Sequence, residues 1–413
     1  MNVMYHLIIG VALLAAAPYL LVRMALKRDF REEVSARLFS WRSLPQFSKT
    51  LWVHASSVGE VKVAKILIQK LREKYPDRQV VLSTFTATGY ELARTENLCP
   101  VFRLPPDSAL ILRPLLKRID PAMLLLIEAE FWPALLSQCR QKKIPVLLLN
   151  GRVSEKSYAL YKKIQPLFRW LTHGIAGFFM RSHIDADRLL KLKAKNVRVT
   201  GNMKFDALPE TLNEDSDSPT TSVVFGSTRP GDEAPILDAV ARLRKEFPDL
   251  KFVIAPRHVH RCDEVAGLIR AQGLAMVLHS QIAQNSAGIP LILVDRIGVL
   301  NDYYRQGSIA FVGGGFSAKF GGQNILEPAG LGRPVIFGRH MNNFAEEAGF
   351  LSASGGGIQI DSPADLYTVL QDLLRQPEKV KRLGALAAQT VNQHRGATER
   401  NVEMIDSLMN SFK

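Results

Sequence analysis

Ala122-Met123-Leu124-Leu125-Leu126-Ile127 runs directly into Glu128-Ala129-Glu130-Phe131-Trp132-Pro133. Six apolar residues without alternation are what a strand covered on both faces requires. Pro133 suits the first turn of a following helix. Working outward, the same strand–loop–helix unit recurs. Upstream, the short apolar run Leu51–Ala55 leads through Ser56-Ser57-Val58-Gly59-Glu60 into Val61, Ala64, Ile68 and Leu71 at helical spacing. Gln79–Phe85 reads as another strand. Downstream, Val146–Leu149, Ile175–Phe179 and Val197–Thr200 continue the series, with helical patterns between. This alternation predicts an α/β fold with a doubly wound parallel sheet.

Asp206–Thr221 interrupts it with a polar, acidic stretch holding two prolines, the composition of a linker. Strands then restart at Val223–Phe225, Lys251–Ala255, Leu291–Val294, Ile309–Val312 and Val335–Phe337. The expected organisation is an N-terminal segment 1–28, a Rossmann-like domain 29–205, a linker 206–221 and a second Rossmann-like domain 222–413. The last helix is available to pack back on the first domain. Two such domains form a cleft, and ligands of open α/β sheets bind at the carboxyl ends of the strands.

Length and composition agree. At about 100–200 residues per domain, 413 residues suit two. Apolar residues at 47% and charged residues at 22% exclude disordered, collagen-like and coiled-coil chains. A mean hydropathy of +0.01 excludes a polytopic membrane protein. Cys99, Cys139 and Cys262 are odd in number and far apart, which suits neither a disulfide framework nor a zinc site.

The net charge of +14 is unevenly spread. Residues 1–208 carry 33 basic and 16 acidic side chains, and residues 209–413 carry 20 and 23. An anionic partner on the first half is implied: nucleic acid, an acidic membrane or a phosphorylated substrate. Val3–Val22 holds no Lys, Arg, Asp or Glu. As a helix it would measure about 30 Å, a bilayer core. Arg23, Lys27, Arg28 and Arg31 follow it, so an anchor here leaves the body of the protein cytoplasmic. The plainer alternative is a buried core helix. Phe30–Phe47 mixes Arg31, Arg37 and Arg42 with Phe39 and Trp41, as a segment lying on anionic headgroups does.

The candidate chemistry lies at strand ends. Glu60 opens a helix, where the dipole should keep it ionised and able to take a proton from a hydroxyl. The same position suits a capping box with Ser57 as cap. Strand alternation would put Glu128 and Glu130 on one face, beside Trp132. Lys204 in Gly201-Asn202-Met203-Lys204-Phe205-Asp206 borders the expected cleft and can pair with a phosphate or carboxylate. The second domain offers Gly226-Ser227-Thr228-Arg229, Ala255-Pro256-Arg257-His258, Gly313-Gly314-Gly315 and Gly321-Gly322-Gln323-Asn324-Ile325-Leu326-Glu327-Pro328. Glycines admit a phosphate to the backbone, Arg257 offers it two hydrogen bonds, and Glu327 suits ribose hydroxyls. These clusters favour a nucleotide site, though neither a G-x-G-x-x-G fingerprint nor a Walker lysine is present.

Taken in order, His54–Glu60, Glu128–Pro133, Asn150–Ser154, Gly201–Asp206, Ala255–His258, Asp295–Leu300, Phe311–Gly314 and Gly321–Pro328 resemble the motifs of bacterial lipid A Kdo transferases, with Kdo for 3-deoxy-D-manno-octulosonic acid. The resemblance covers nearly the whole chain. It implies a GT-B fold with two Rossmann-like domains facing a cleft and an N-terminal membrane-anchor helix. It implies inverting transfer of Kdo from CMP-Kdo to a glucosamine hydroxyl of the lipid A precursor (lipid IVA), in lipopolysaccharide biosynthesis. Neither a metal nor another cofactor is implied. Glu60 matches the family's general base, and Glu128 and Lys204 match positions of transition-state stabilisation. Pro256, Arg257, Ile297, Gly298, Val299, Asn324, Ile325, Leu326 and Glu327 match the CMP-binding segments, with Gly226 and Ser227 beside them. Glu128 has the alternative of positioning Lys204. Three departures stand out: Gln323 where the family usually has His, Ala129 where many members have Thr, and Val299 where many have Glu. The implied location is the cytoplasmic face of the bacterial inner membrane, where a basic first domain meets a phosphorylated lipid. Competing readings are a GT-B enzyme using a UDP-sugar, a sugar epimerase and a nucleic-acid binder, the last without any recognisable motif.

Overall fold

The computed structural model describes residues 23, 25–128, 130–208, 222–282 and 291–411. The expected anchor at 3–22, residues 209–221 of the expected linker, and Ala129 lie outside them. Among the described residues no helix is long and apolar enough to cross a membrane. The chain divides into two compact units, Met1–Ala207 with Arg395–Lys413, and Leu208–His394.

The first unit is built on a parallel sheet of β1 (Thr50–His54), β2 (Val80–Thr84), β3 (Val101–Arg103), β4 (Pro121–Ile127), β5 (Val146–Gly151), β6 (Ile175–Met180) and β7 (Val197–Val199), in the order 3-2-1-4-5-6-7. The chain starts at the middle, winds outward to β3, then returns to lay β4 beside β1. That reversal leaves a crevice at the carboxyl ends of β1 and β4. Leu51 faces Met123 across the pair and Trp52 faces Leu124. Successive residues point to opposite faces. Met123, Leu125 and Ile127 therefore join one buried cluster, while Leu124 and Leu126 join the other. This is why Ala122–Ile127 shows no alternation.

The helix Ala397–Ser411 completes the first of those clusters with Val402, Ile405 and Met409. Asp206 holds the start of that helix, accepting the N–H groups of Gly396 and Thr398 at 2.6 Å each. Asp206 is thus tied into the first unit and is not free linker. The helix Arg28–Phe39 is fastened through Glu33, which takes two hydrogen bonds from Arg103, at 2.9 and 2.6 Å. Arg103 is only 2% exposed. Hydrogen bonding from Arg103 more than offsets the burial of Glu33 and holds its carboxyl below the ordinary range. Trp41, expected at a membrane surface, is instead buried in the core with Leu44, and its indole N–H donates to the Leu38 carbonyl. Phe39 remains exposed.

The second unit repeats the plan with β8 (Ser222–Thr228), β9 (Lys251–Pro256), β10 (Val277–Leu278), β11 (Leu291–Leu293), β12 (Ile309–Val312), β13 (Val335–Gly338) and β14 (Gly357–Ile360). All pairings are parallel, in the order 10-11-9-8-12-13-14. Val223, Phe225, Phe252, Ile254, Ile309 and Phe311 form part of its core. The crevice of this sheet lies at the ends of β8 and β12.

Candidate active site

In the first unit, β1 ends at His54 and the helix Val58–Lys74 begins four residues later. Glu60 is its third residue. Its carboxylate turns back on the loop: Oε2 accepts the Ser56 N–H at 2.7 Å and Oε1 accepts the Ser57 hydroxyl at 2.7 Å. The Ser57 side chain gives no cap bond to the helix, because its hydroxyl is turned to Glu60. Neither half of the expected capping box is formed: Glu60 reaches past the N-cap Ser57 to the Ser56 N–H, and the Ser57 hydroxyl donates to Glu60. Glu60 is 8% exposed. Burial first, and the charge of Glu128 second, push its carboxyl up to about 7 against the two hydrogen bonds. The expectation of a fully ionised Glu60 is corrected: desolvation outweighs the helix terminus.

Glu128 does not continue the strand. It takes the left-handed conformation with φ of 64°, just past Ile127. Such backbone is rare for a residue with a Cβ and concentrates at functional sites. The strand alternation expected of Glu128 and Glu130 consequently does not apply. Glu128 Oε1 meets Lys204 Nζ at 2.6 Å. Lys204 is fixed from the far side of the sheet. Asn202 Oδ1 accepts its N–H at 3.0 Å, and Asn150, itself left-handed at the end of β5, accepts the Met203 N–H at 2.9 Å. Glu60, Glu128 and Lys204 are thus brought to one crevice from three separate strand ends.

Aromatic rings from the same unit pack on one another around the helix that follows Glu130. Phe85 packs on Trp132 at 5.1 Å, and Tyr161 stacks on Phe168 at 4.6 Å with Phe131 edge-on to both. Asp107 accepts the N–H groups of Ala134 and Leu135, which sets the helix Pro133–Gln141 and hence Trp132.

In the second unit, Gly226 and Ser227 lie at the end of β8, next to Ala255 and Pro256 of β9. Ser227 is left-handed, φ 54°. Gly226 is obligatory: a Cβ there would stand 1.8 Å from the Tyr304 hydroxyl. Tyr304 is raised above its ordinary range by burial and then by the charge of Glu327. Asp232, which sequence reasoning missed, ties two loops together. Its Oδ2 accepts the N–H groups of Arg229 and Gly314 at 2.8 and 2.7 Å. Burial pushes its carboxyl up to about 6. The signal was an Asp three residues past Arg229, at a helix start.

Arg257 is exposed and donates to Gln323 Oε1 at 3.1 Å. Arg229, quoted in the glycine cluster after β8 but given no role of its own, donates to His258 Nε2 at 2.8 Å. Burial, then the neighbouring Arg257, lowers Arg229; burial, then Arg229 and Arg257, lowers His258. Positive groups crowd here, and an anion would relieve their repulsion. Asn324 Oδ1 accepts the Leu326 N–H at 3.2 Å, while Ile325 and Leu326 are buried and hold the turn rather than face solvent. Ile297-Gly298-Val299 stands apart. Ile297 is 87% exposed, and a Cβ on Gly298 would meet nothing within 4 Å. Asp232→Ala frees both loops from their shared acceptor. It is expected to raise the KM for a nucleotide donor roughly tenfold, as initial rates at varied donor would show.

A family profile described as 3-deoxy-D-manno-octulosonic-acid transferase (kdotransferase) matches residues 32–207. A Bordetella pertussis 3-deoxy-D-manno-octulosonic acid transferase is 32% identical over 380 residues, 86% of this chain and 86% of its own length. A bifunctional glycosyltransferase/methyltransferase of Fusobacterium nucleatum is 31% identical over 387 residues, 90% of this chain. The chain spans 59% of that relative's length. Among solved structures, UDP-GlcNAc 2-epimerase from Neisseria meningitidis, bound to UDP-GlcNAc, superposes with a TM-score of 0.62 at 15% identity. That match covers 87% of this chain and 100% of the epimerase. The likeness is one of fold: two parallel-sheet α/β domains, as in GT-B proteins.

Proposed function

The chain belongs to the Kdo transferase family and is a glycosyltransferase; from that premise we propose that it transfers Kdo from CMP-Kdo to a glucosamine hydroxyl of the lipid A precursor, with inversion and with Glu60 as general base. The observation that carries this reading is the state of Glu60. It is a carboxylate buried at the switch point of the first sheet, oriented by Ser56 and Ser57, and poised near neutrality. A base is most effective when its pKa lies near the working pH.

In the proposed reaction Glu60 takes the proton of the acceptor hydroxyl as that oxygen attacks the anomeric carbon of Kdo. The bond from that carbon to the CMP phosphate breaks, and CMP departs with its electron pair. Arg257 and Arg229 meet the charge that develops on the phosphate. Lys204, held by Glu128, presents a fixed cation to an anionic group of the substrates. Gly226, Ser227, Pro256 and Asn324–Glu327 form the CMP side, with Ile297–Val299 as a more open flank. The same reading assigns residues 3–22 to an inner-membrane anchor with both units on the cytoplasmic face. The positive charge of the first half then faces a phosphorylated lipid.

The test is transfer by detergent-purified protein from CMP-Kdo made in situ to tetraacylated lipid A precursor, with products resolved by mass. CMP is expected to inhibit and UDP not to. Inhibition by UDP alone, with no Kdo transferred, would replace the donor by a UDP-sugar. The pH profile is a further expectation. Protonated Glu60 cannot accept a proton, so kcat/KM should fall about tenfold per pH unit below about pH 7.

A further inference from the structure

His54 ends β1 fully buried. Its Nδ1 lies 2.8 Å from Ser83 Oγ, which already accepts the Trp52 indole N–H at 2.8 Å. Ser83 Oγ has room to accept a second bond, but Nδ1 is the acceptor at hand for its own proton, and the opposite tautomer would turn the Nε2 lone pair toward the Glu130 carboxylate; the ring is therefore assigned with Nδ1 as acceptor. The ring proton then sits on Nε2. That atom is buried without a hydrogen-bond partner and faces Glu130 Oε2 at 3.9 Å. Trp132 Nε1 is a second buried N–H without a partner, on the ring packed edge-on to His54. Leaving such donors unmet is costly, and two of them beside one carboxylate mark a place shaped for its charge. The Glu130 side chain keeps 23% of its surface. Burial pushes its carboxyl up, yet His54, Ser56 and Trp132 together bring it below the ordinary range.

We propose that His54 is a positioning residue: it holds Glu130 as a carboxylate and presents it, beside Glu60, to a hydroxyl of the acceptor sugar. This rests on the reading of the first unit as the acceptor side. Phe85 carries the Arg37 guanidinium on its ring and is tilted 41° to Trp132, so Trp132, half-buried beside His54, is the ring left for a sugar, and a charged carboxylate next to it takes a sugar hydroxyl as donor. The groups acting around Glu130 come from several elements. His54 belongs to β1, and Ser56 to the loop after it. Glu60 is on the helix Val58–Lys74 and is raised in part by Glu130. Tyr161, on the helix Glu155–Lys163, is raised by burial and then by Glu130. Glu128, two residues earlier, is occupied by Lys204. With His54 gone, burial and the two other carboxylates drive Glu130 toward its neutral form as pH falls.

The experiment measures Kdo transfer by the full chain in detergent, with acceptor varied at saturating donor between about pH 6 and 8. His54→Asn keeps a group near Ser83 but removes the ring N–H that faces Glu130 at 3.9 Å. His54→Gln places an amide N–H where Nε2 stood. Glu130→Gln removes the charge itself. Glu130→Gln is expected to raise the acceptor KM roughly tenfold at every pH, with donor KM unchanged and kcat within about threefold. His54→Asn is expected to raise the acceptor KM progressively as pH falls, where the wild type stays flat, and His54→Gln to restore the flat profile. An acceptor KM in His54→Asn that parallels the wild type at every pH, or one unchanged in Glu130→Gln, would overturn the proposal. Should both His54 variants fail to fold, Glu130→Gln alone decides. Wild-type protein that transfers no Kdo, or Glu60→Gln that keeps full activity, refutes the proposed function instead.

Discussion

Glu60→Gln is expected to lose about three orders of magnitude in kcat and, above neutral pH, to gain stability. The loss follows from the chemistry. Glutamine keeps an oxygen to accept from Ser56 or Ser57 but cannot take a proton. The gain follows from burial. The folded-state pKa of Glu60 is raised to about 7 from an ordinary 4.5. The folded protein therefore binds this proton more tightly than the unfolded chain does, and each pH unit between those two values costs the fold as pH rises. Below the lower value there is no penalty, and above the upper one it is complete. The upper value already includes the hydrogen bonds from Ser56 and Ser57 to the charged form; glutamine accepts them more weakly, which trims the gain. A gain of about 2 kcal/mol at pH 8, fading by pH 5, is the expected size. Urea titrations of both proteins at the two pH values measure it. A variant that is inactive and also less stable at pH 8 would mean that Glu60 is a cap and not a desolvated base.

Arg261→Met is expected to destabilise the second unit by about 3–5 kcal/mol. Arg261 donates from Nη1 to Glu233 at 2.7 Å and grips Glu264 with Nε and Nη2. Its hydrogen bonds raise it above its ordinary range despite burial. Glu264 is exposed and loses little. Glu233 is 1% exposed and would keep only the Thr228 hydroxyl at 2.9 Å. A buried charge without its partner is the costly state; the pair itself need not be stabilising. Arg261→Met combined with Glu233→Met should therefore recover most of the loss. Urea midpoints for the two single variants and the double complete the cycle. Equal destabilisation by Arg261→Met and by the double would assign the loss to packing around the guanidinium stem. Thr228 ends β8 beside Ser227, so Arg261→Met should also weaken donor binding.

How far the fold was legible depended on where each strand lies in its sheet. Central strands such as Ala122–Ile127 and Val146–Leu149 are covered on both faces, and burial writes an unbroken apolar run into them. Val101–Arg103, Val277–Leu278 and Gly357–Ile360 were not anticipated, and all three are sheet edges of two to four residues. An edge strand borrows its hydrogen bonds from one neighbour and needs little sequence of its own. Glu60, Glu128 and Lys204 could be singled out because each follows a strand or opens a helix. What could not be seen was the tertiary surroundings. The dipole at the start of a helix is local and argued for an ionised Glu60; the desolvation that overrides it comes from the packed unit. His54 reads as one more residue of a short apolar strand until Ser83, from the next strand, fixes its tautomer. Asp232 reads as an ordinary polar residue until Gly314, from a distant loop, shares its oxygen with Arg229.

The return of the helix Ala397–Ser411 to the first unit has a consequence for synthesis on the ribosome. Everything from Leu208 to His394 is made before the helix that packs on Val58–Lys74 and completes the buried cluster of Leu51, Val53 and Met123 exists. The nascent first unit must wait with one greasy face bare while the second unit is translated and folds. Chaperones have that interval in which to bind it. A message that stops after His394 yields a first unit that never covers that face and leaves Asp206 without the N–H groups of Gly396 and Thr398. Such a product keeps apolar surface exposed, the kind of surface that chaperones and proteases engage.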